Sequence, residues 1–434
     1  MAFGVVGHSG AKGAKGAGRK GEVSAVLDIG SSKIACFIGI LEPDTGVRLL
    51  GIGRHVSAGI KCGAVVDMDA AETAIRCAVE KAERAAGFTI SSVTVNVSTR
   101  TLASQHLTVD TKFSGGEVGD RDKKRVLTGS LSEFDEPEHT ILHALPLNWS
   151  VDDTRGIQDP CGMFGSHLGV DMHFVTAGIG GLRNLAHCVE RCHLRIKAVV
   201  ATPMAAGYGA LVDDELDLGA TVIDMGAGLT TAAVFRERNL IFTDSVGIGG
   251  AHVSTDIARG LTTSLDGAER IKSLYGSALG SSRDDIQMIT CPPMGDHGEN
   301  HSESRALLTA IVRSRLEETF EILRDRLKGA GVEDYAGRRI VLTGGAAQLS
   351  GAAELAGIIF GKRVRVGRPN GMLGLSETAS GPDFSVAAGL IKYSFMQNND
   401  AITGTPDLSG RKYRRRRYAG NSLGRSIDWL KENF

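Results

Sequence analysis

The stretch VSAVLDIGSSKIACFIGI, Val23 to Ile40, returns in altered form as ATVIDMGAGLTTAAVF, Ala220 to Phe235. In both copies an apolar strand ends in Asp-x-Gly, a tight turn follows, and a second apolar strand leaves it. The copies stay in step beyond the turn. A third strand spans Val47 to His55 in the first and Asn239 to Val246 in the second. A helix then follows in each, Met68 to Ala86 and His252 to Arg259. A repeat of this kind predicts two similar α/β halves. Ligands commonly bind between such halves, so the repeat also predicts a cleft.

The turns carry the chemistry. Asp28-Ile29-Gly30-Ser31-Ser32-Lys33 presents backbone N–H groups and hydroxyls that can cradle a phosphate. An Asp at a strand end can hold Mg2+ through water, and Asp28 and Asp224 both stand there. In Asp224-Met225-Gly226-Ala227-Gly228, Gly226 and Gly228 let the backbone approach a phosphate with no side chain in the way. A third glycine turn, Thr343-Gly344-Gly345-Ala346, ends the strand Arg339 to Leu342 and precedes a helix. It would let a nucleotide's sugar and α-phosphate lie flat on the backbone. One Asp-x-Gly is usually just a turn. Two matched hairpins followed in order by a Gly-Gly turn are far more specific.

Composition narrows the rest. A chain of 434 residues with 42% hydrophobic residues can bury the cores of more than one domain. Its formal net charge of -1 gives no global drive toward nucleic acid. No stretch reads as a transmembrane helix, because Ile196 to Val212 is broken by Pro203, Gly207 and Gly209. The first residues, Met1 to Gly21, are rich in Gly and Ala with a few Lys and Arg, and read as a disordered basic arm. The seven cysteines show no CxxC spacing, which fits a reducing cytoplasm. His187, Cys188, Cys192 and His193 leave two readings, a zinc site or a helix (Gly181 to His193) with small apolar cysteines on its buried face.

Two segments interrupt the halves. Thr89 to Arg195 holds strand candidates Val93 to Val97, Ile141 to Leu145 and Met172 to Thr176, and a charged helix near Gly119 to Leu131. It reads as a small α+β unit. Thr255 to Gly337 is more helical, with a long helix from Leu307 to Lys328 that repeats apolar residues at helical period. Cys291 to Ser304 reads as a polar surface loop. Ser385 to Tyr393 is the last core element, and a polar linker follows from Gln397 to Asn421.

The tail closes the chain. Leu423, Ile427, Leu430 and Phe434 fall within about 60° of one another on a helical wheel, with Trp429 beside them. A helix of that length spans about 21 Å, too short to cross a bilayer and suited to lying in its interface. Six basic residues between Arg411 and Arg417 precede it, and basic residues near anionic lipid add about 1 kcal/mol each. The alternatives are a nucleic-acid arm for the basic run and a docked terminal helix for the stripe.

At this point the chain resembles the actin, Hsp70 and sugar-kinase superfamily. Its phosphate 1, phosphate 2 and adenosine motifs match Asp28 to Lys33, Asp224 to Gly228 and Val341 to Ala346. The match narrows to the FtsA family of bacterial division proteins through RHVSAGIKCGAVVDMDA (Arg54 to Ala70), HCVERCHLRI (His187 to Ile196), SVGIGGAHVSTDIARGL (Ser245 to Leu261), IVLTGGAAQLSG (Ile340 to Gly351) and SIDWLKENF (Ser426 to Phe434). The resemblance implies an α/β, actin-like fold of two duplicated halves around a nucleotide cleft. It divides the chain into an arm (1–22), subdomain 1A (23–88, 196–218 and 386–396), an inserted subdomain 1C (89–195), subdomain 2A (219–254 and 338–385), subdomain 2B (255–337), a basic linker (397–420) and a membrane-targeting helix (421–434).

It also implies ATP with Mg2+ in the cleft, with Gly249 near the phosphates and the base beside Glu269 and Lys272. An ordinary surface ion pair is the alternative for that couple. The implied partners are the C-terminal peptide of FtsZ near Arg315 and Glu318, other copies of the chain, later division proteins and an anionic membrane. For Arg315 and Glu318 a surface ion-pair face is the alternative. The place is the cytoplasmic face of the inner membrane at the division site. A sugar-kinase-type phosphotransferase and a pilus-assembly adaptor share the superfamily and remain the rival functions.

Two positions depart from the superfamily motifs. The phosphate 2 loop usually reads Asp-x-Gly-Gly-Gly-Thr, often with an Asp two residues on. Here Leu229 replaces the threonine and Thr231 stands at the second Asp. Thr230 could supply the lost hydroxyl only with a shift of register. Where related ATPases carry an acidic or amide residue that positions water, as in Glu-Pro-x-Ala-Ala, this chain has Thr202-Pro203-Met204-Ala205-Ala206. A threonine cannot act as that base, so slow or negligible turnover is expected.

Overall fold

The computed structural model describes residues 21–401, apart from 43–44, 135, 137, 296–298, 334–336 and 397–399. The predicted basic arm and the amphipathic tail with Leu423, Ile427, Trp429, Leu430 and Phe434 lie outside the described residues. The chain opens with strands β1 (Val23–Ile29), β2 (Lys33–Glu42) and β3 (Gly46–Val56), a small hairpin β4–β5 (Ile60–Lys61 and Ala64–Val65), helix α1 (Met68–Ala86) and β6 (Ser92–Val97). An insertion follows: β7 (Ala103–Glu117), α2 (Asp120–Ser132), β8 (His139–Val151), β9 (Thr154–Ile157) and β10 (Phe164–Gly178). Then come α3 (Ile179–Arg191), β11 (Arg195–Ala201), α4 (Thr202–Ala210) and α5 (Asp213–Leu218).

The second half repeats the plan with β12 (Ala220–Met225), β13 (Thr230–Arg236), β14 (Asn239–Val246) and α6 (Gly250–Gly260). A helical insertion holds α7 (Leu265–Tyr275), β15 (Met288–Cys291), β16 (His301–Ser304) and α8 (Arg305–Gly329). The half closes with β17 (Arg339–Thr343), a 3-10 turn (Gly345–Gln348), α9 (Ala352–Phe360) and β18 (Arg363–Val366), and β19 (Met372–Leu373) and α10 (Ser385–Tyr393) lead out of it.

The duplication is visible in the pairing. β1, β2 and β3 form an antiparallel meander, and β1 also pairs in parallel with β6. β12, β13 and β14 form the same meander, with β12 parallel to β17. The two sheets run β11-β6-β1-β2-β3-β19 and β14-β13-β12-β17-β18. β1, β2, β12 and β13 are buried almost throughout, as strands covered on both faces must be. Helices α4 and α10 join the halves at close range. A Cβ on Gly209 would meet the Ser385 carbonyl at 1.8 Å, and one on Gly389 the Ala205 carbonyl at 1.7 Å. Only glycine permits that crossing.

Several sequence boundaries move. Val93 to Val97 belongs to the first half, because β6 pairs with β1 and β11. α3 likewise packs on α1 and β11. The insertion proper is the sheet β7-β10-β8-β9 with α2 on it. β19 pairs with β3, so residues 372–373 join the first sheet and not the second half. Cys291 to Ser304 is not simply a loop, since β15 and β16 close a hairpin there. The linker begins later than Gln397, because Asp400 and Ala401 are buried and Ala401 joins the insertion's core.

Candidate functional site

The two hairpin turns and the Gly-Gly turn converge on one cleft of about 920 Å³, within the range of small-molecule pockets. Of the residues named from sequence, Asp28, Gly30, Ser31, Ser32, Lys33, Asp224, Gly226, Gly228, Glu269, Lys272, Gly344, Gly345 and Ala346 all line it. Tyr275, Gly276 and Arg305 close the side that carries Glu269 and Lys272.

Asp28 ends the buried strand β1. Asn96 fixes it: the Asn96 amide donates to Asp28 Oδ1 at 2.9 Å, and Asn96 Oδ1 accepts from the Ile29 N–H at 2.7 Å. Burial pushes the Asp28 carboxyl up to about 7; Lys33 pulls it back, while Asp224 and Asp383 push further. Burial likewise raises Asp224 to about 6. The Lys33 ammonium pairs with Asp383 and sits 3.2 Å from the centre of the Phe384 ring. Burial lowers its pKa, and the Asp383 hydrogen bond opposes that shift. Two buried carboxylates with a single lysine between the turns are short of positive charge. A divalent cation would supply it, so the donor set fits Mg2+ held at Asp28 and Asp224.

Gly344 has φ +86, and a Cβ there would meet Asp224 Oδ1 at 2.5 Å. The turn therefore presents bare backbone beside the second carboxylate. Gly228 has a further role. A Cβ there would meet the Cys62 backbone at 2.8 Å and Ser31 Oγ at 2.9 Å. It lets the β4–β5 turn of the first half pass over the phosphate 2 loop. On the far side, Lys272 Nζ reaches Glu269 at 2.6 Å, Ser254 Oγ at 2.7 Å and the Gly250 carbonyl at 3.1 Å. The couple is thus tied into α6 and is not a free surface pair.

Two expected residues do not line the cleft. Thr230 turns its hydroxyl away, donating to the Ile248 carbonyl at 2.7 Å. The register pairs Asp224 with Thr231, and alternate residues of a strand face opposite sides, so no shift rescues Thr230. Gly249 sits behind the loop, where a Cβ would meet the Ala227 and Gly226 carbonyls at 2.6 Å. It lets Gly250 and Ala251 donate to those carbonyls at 2.9 and 2.8 Å. Thr202 lies at the start of α4, and its Oγ1 accepts from Ser98 and Asn96 at 2.6 and 3.1 Å.

Sequence reasoning missed Asn96 and Asp383. Asn96 was detectable as the one amide in the apolar run VTVNV. Asp383 gave only the hint that Lys33 needs a partner. The zinc alternative gains no support. Cys188 and Cys192 donate to the carbonyls of Met68 and Glu72, burial pushes both thiols up to about 11, and no cluster of three or more His, Cys, Asp or Glu side chains placed to hold a metal occurs among the described residues.

Elsewhere, Arg315 and Glu318 pair with each other on α8, and Arg315 also binds Asp256 at 2.5 Å. They line a groove of about 410 Å³ with Asp256, Arg259 and Ile311. No helix among the described residues is long and apolar enough to cross a membrane.

Two duplicated α/β halves closing on paired Asp-x-Gly hairpins define an actin-like protein. In agreement, the structure of a PilM-PilN type IV pilus biogenesis complex aligns over 86% of this chain and 98% of that one, with a TM-score of 0.62 at 17% identity. MreB 5 of Spiroplasma citri, bound to AMPPNP, aligns with a TM-score of 0.50 at 12% identity over 86% of this chain and 96% of its own. Such likenesses show the fold alone. Sequence goes further. Residues 221–389 match the family described as Cell division protein FtsA, and residues 100–176 match the SHS2 domain inserted in FTSA. The chain is 44% identical over 431 residues to the cell division protein FtsA of Agrobacterium fabrum, covering 96% of both chains. It is 30% identical over 415 residues to that of Escherichia coli K12, covering 94% of this chain and 97% of the other. The chain belongs to the FtsA family of cell division proteins.

Proposed function

We propose that this chain binds ATP with Mg2+ in the cleft and, so loaded, associates with further copies of itself. In this reading the groove at Arg315 and Glu318 takes the C-terminal peptide of FtsZ. The terminal amphipathic helix then ties FtsZ polymers to the cytoplasmic face of the inner membrane at the division site, where the assembly recruits later division proteins. The observation that carries the nucleotide reading is the meeting of three glycine turns, two buried carboxylates and Lys33 in one cleft. Family membership carries the cellular reading. The tail rests on its sequence pattern: an apolar stripe, a neighbouring basic run and a long polar linker. A helix so short is marginal alone, so firm attachment needs many copies presented together.

Hydrolysis is slow in this reading. Thr202 holds the place of a water-positioning base, has no titrating group and spends its oxygen on Asn96 and Ser98. Turnover above about one per second, ordinary for an enzyme, refutes it.

The deciding experiment is co-sedimentation with FtsZ polymers on anionic liposomes, with and without ATP. ATP should raise recovery of both proteins with the lipid. A chain ending at Gly404 should lose the lipid while still binding ATP, and equal pelleting of the two chains removes the tether. Arg315→Glu should weaken FtsZ binding. Because Arg315 also holds Asp256, the variant's melting temperature is read alongside, and unchanged affinity for FtsZ rejects the groove.

A further inference from the structure

Thr231 carries a polar atom beside the cleft that no described residue engages. Thr231 is 1% exposed, and its hydroxyl meets no hydrogen-bond partner among the described residues. It stands on β13 directly across from Asp224 on β12. Directly opposed residues of an antiparallel pair share a face, and both residues line the cleft. The preceding residue, Thr230, spends its hydroxyl on the Ile248 carbonyl at 2.7 Å, so the two neighbouring threonines differ.

The duplicated hairpin supplies an internal control. There Asp28 stands across from Ala35, which is fully buried and apolar. The fold therefore does not require a hydroxyl opposite the strand-end carboxylate. On packing grounds valine fills the same shape and suits a strand at least as well. A buried hydroxyl left without a partner costs stability, and each such group in a native protein needs an explanation, a bound ion or water being one. The place of Thr231 beside Asp224 in the cleft points to an oxygen that enters there.

We propose that Thr231 is a nucleotide-contact residue whose hydroxyl hydrogen-bonds an oxygen of the Mg2+–triphosphate group, either a cation-bound water or a phosphate oxygen. The inference rests on the reading that the cleft binds ATP.

The test is calorimetric titration of the full chain, native, Thr231→Val and Thr231→Ser, with ATP plus Mg2+ and with ATP in EDTA. Melting of each ligand-free protein is measured in parallel. Thr231→Val should bind Mg2+–ATP roughly 2- to 13-fold more weakly, the equivalent of one net hydrogen bond. Thr231→Ser should recover most of that loss. Ligand-free Thr231→Val should melt at or above the native temperature, since it sheds an unpaired polar atom. A loss that disappears in EDTA assigns the oxygen to a cation-bound water, and a loss that persists assigns it to phosphate; either supports the proposal. Unchanged Mg2+–ATP affinity in Thr231→Val overturns it, as does a lowered melting temperature, which would mean the hydroxyl serves the fold. A native chain that binds no ATP overturns the cleft reading and this inference with it. Native binding with an unaffected valine variant overturns this inference alone.

Discussion

Asp400 roots the C-terminal segment in the body of the protein, and removing its carboxylate should be costly. Its Oδ1 accepts from the Ala144 N–H at 2.9 Å and its Oδ2 meets His143 Nδ1 at 2.7 Å, with both residues almost wholly buried. The other ring nitrogen settles the tautomer. His143 Nε2 lies 3.0 Å from the Ala201 N–H, which can only donate, so Nε2 accepts and Nδ1 carries the proton toward Asp400. Asp400→Ala would strand two buried donors, and the ring cannot turn over without losing Ala201. Hydrogen bonds to a charged acceptor contribute about 1.5–3 kcal/mol each. With two such bonds lost, we expect a loss of about 4 kcal/mol. Asp400→Asn should cost about half as much, since its carbonyl still accepts one bond. Urea unfolding followed by tryptophan fluorescence measures it well. Of the two tryptophans, Trp149 is buried in the same core as Ala401, and Trp429→Phe makes it the sole reporter. A change below about 0.5 kcal/mol, typical of a surface site, would refute the reasoning.

Three further outcomes follow from particular contacts. Gly389→Ala should destabilise by about 3 kcal/mol or more, at the upper end of overpacking costs, because its Cβ would lie 1.7 Å from the Ala205 carbonyl; a normal melting temperature contradicts the helix crossing. Glu215→Gln should cost about 2–4 kcal/mol by leaving Arg365 without its buried carboxylate, and equal urea midpoints for the two proteins reject that. His173 is held down to about 3 from 6.5, chiefly by burial and then by His106. The fold keeps it neutral while the unfolded chain takes up a proton below about pH 6.5, so it removes stability as pH falls from 6.5 toward 3, by up to about 1.4 kcal/mol per pH unit. His173→Gln should flatten that slope by about one proton, and parallel pH–stability curves for the two proteins exclude the assignment.

Much of this was legible because it is local. The hairpin turns announce themselves by Asp-x-Gly between apolar runs, and thirteen of the fifteen expected cleft residues line it. Helix α1 ends where its punctuation says, with Asp67 capping the Ala70 N–H and Gly87 at φ 83. What was not legible depends on partners distant in the chain. β6 reads like any apolar strand, and only its parallel pairing with β1 and β11 assigns it to the first half. Two residues of β19 find β3 from more than three hundred positions away. Thr230 and Thr231 are indistinguishable by composition, yet one residue of strand parity sends one hydroxyl inward and the other outward. Asp383 comes to Lys33 across 350 positions, and no spacing rule carries that information.

The histidines show how residue type can mislead until geometry is known. In sequence they invite metal or acid–base readings. In the fold, His143 joins β8 of the insertion to the end of β11 and to Asp400. His173 on β10 bonds Ser104 Oγ and the Leu240 carbonyl, both at 2.8 Å. His106 on β7 bonds the Ile241 carbonyl at 2.8 Å and stacks on His173 with ring centres 4.8 Å apart. Ser104 completes the seam by trading hydrogen bonds with Thr243. All three rings sit where strands of different units meet without joining one sheet. Such seams leave backbone N–H and C=O groups unpaired, and buried groups must be satisfied. An imidazole can do that at two ends: one nitrogen donates, the other accepts, and the flat ring packs between. Histidine is therefore the fastener of the insertion to both halves. His143 and His173 each commit both ring nitrogens to partners inside the protein, which leaves neither ring a free nitrogen for a metal or a substrate proton.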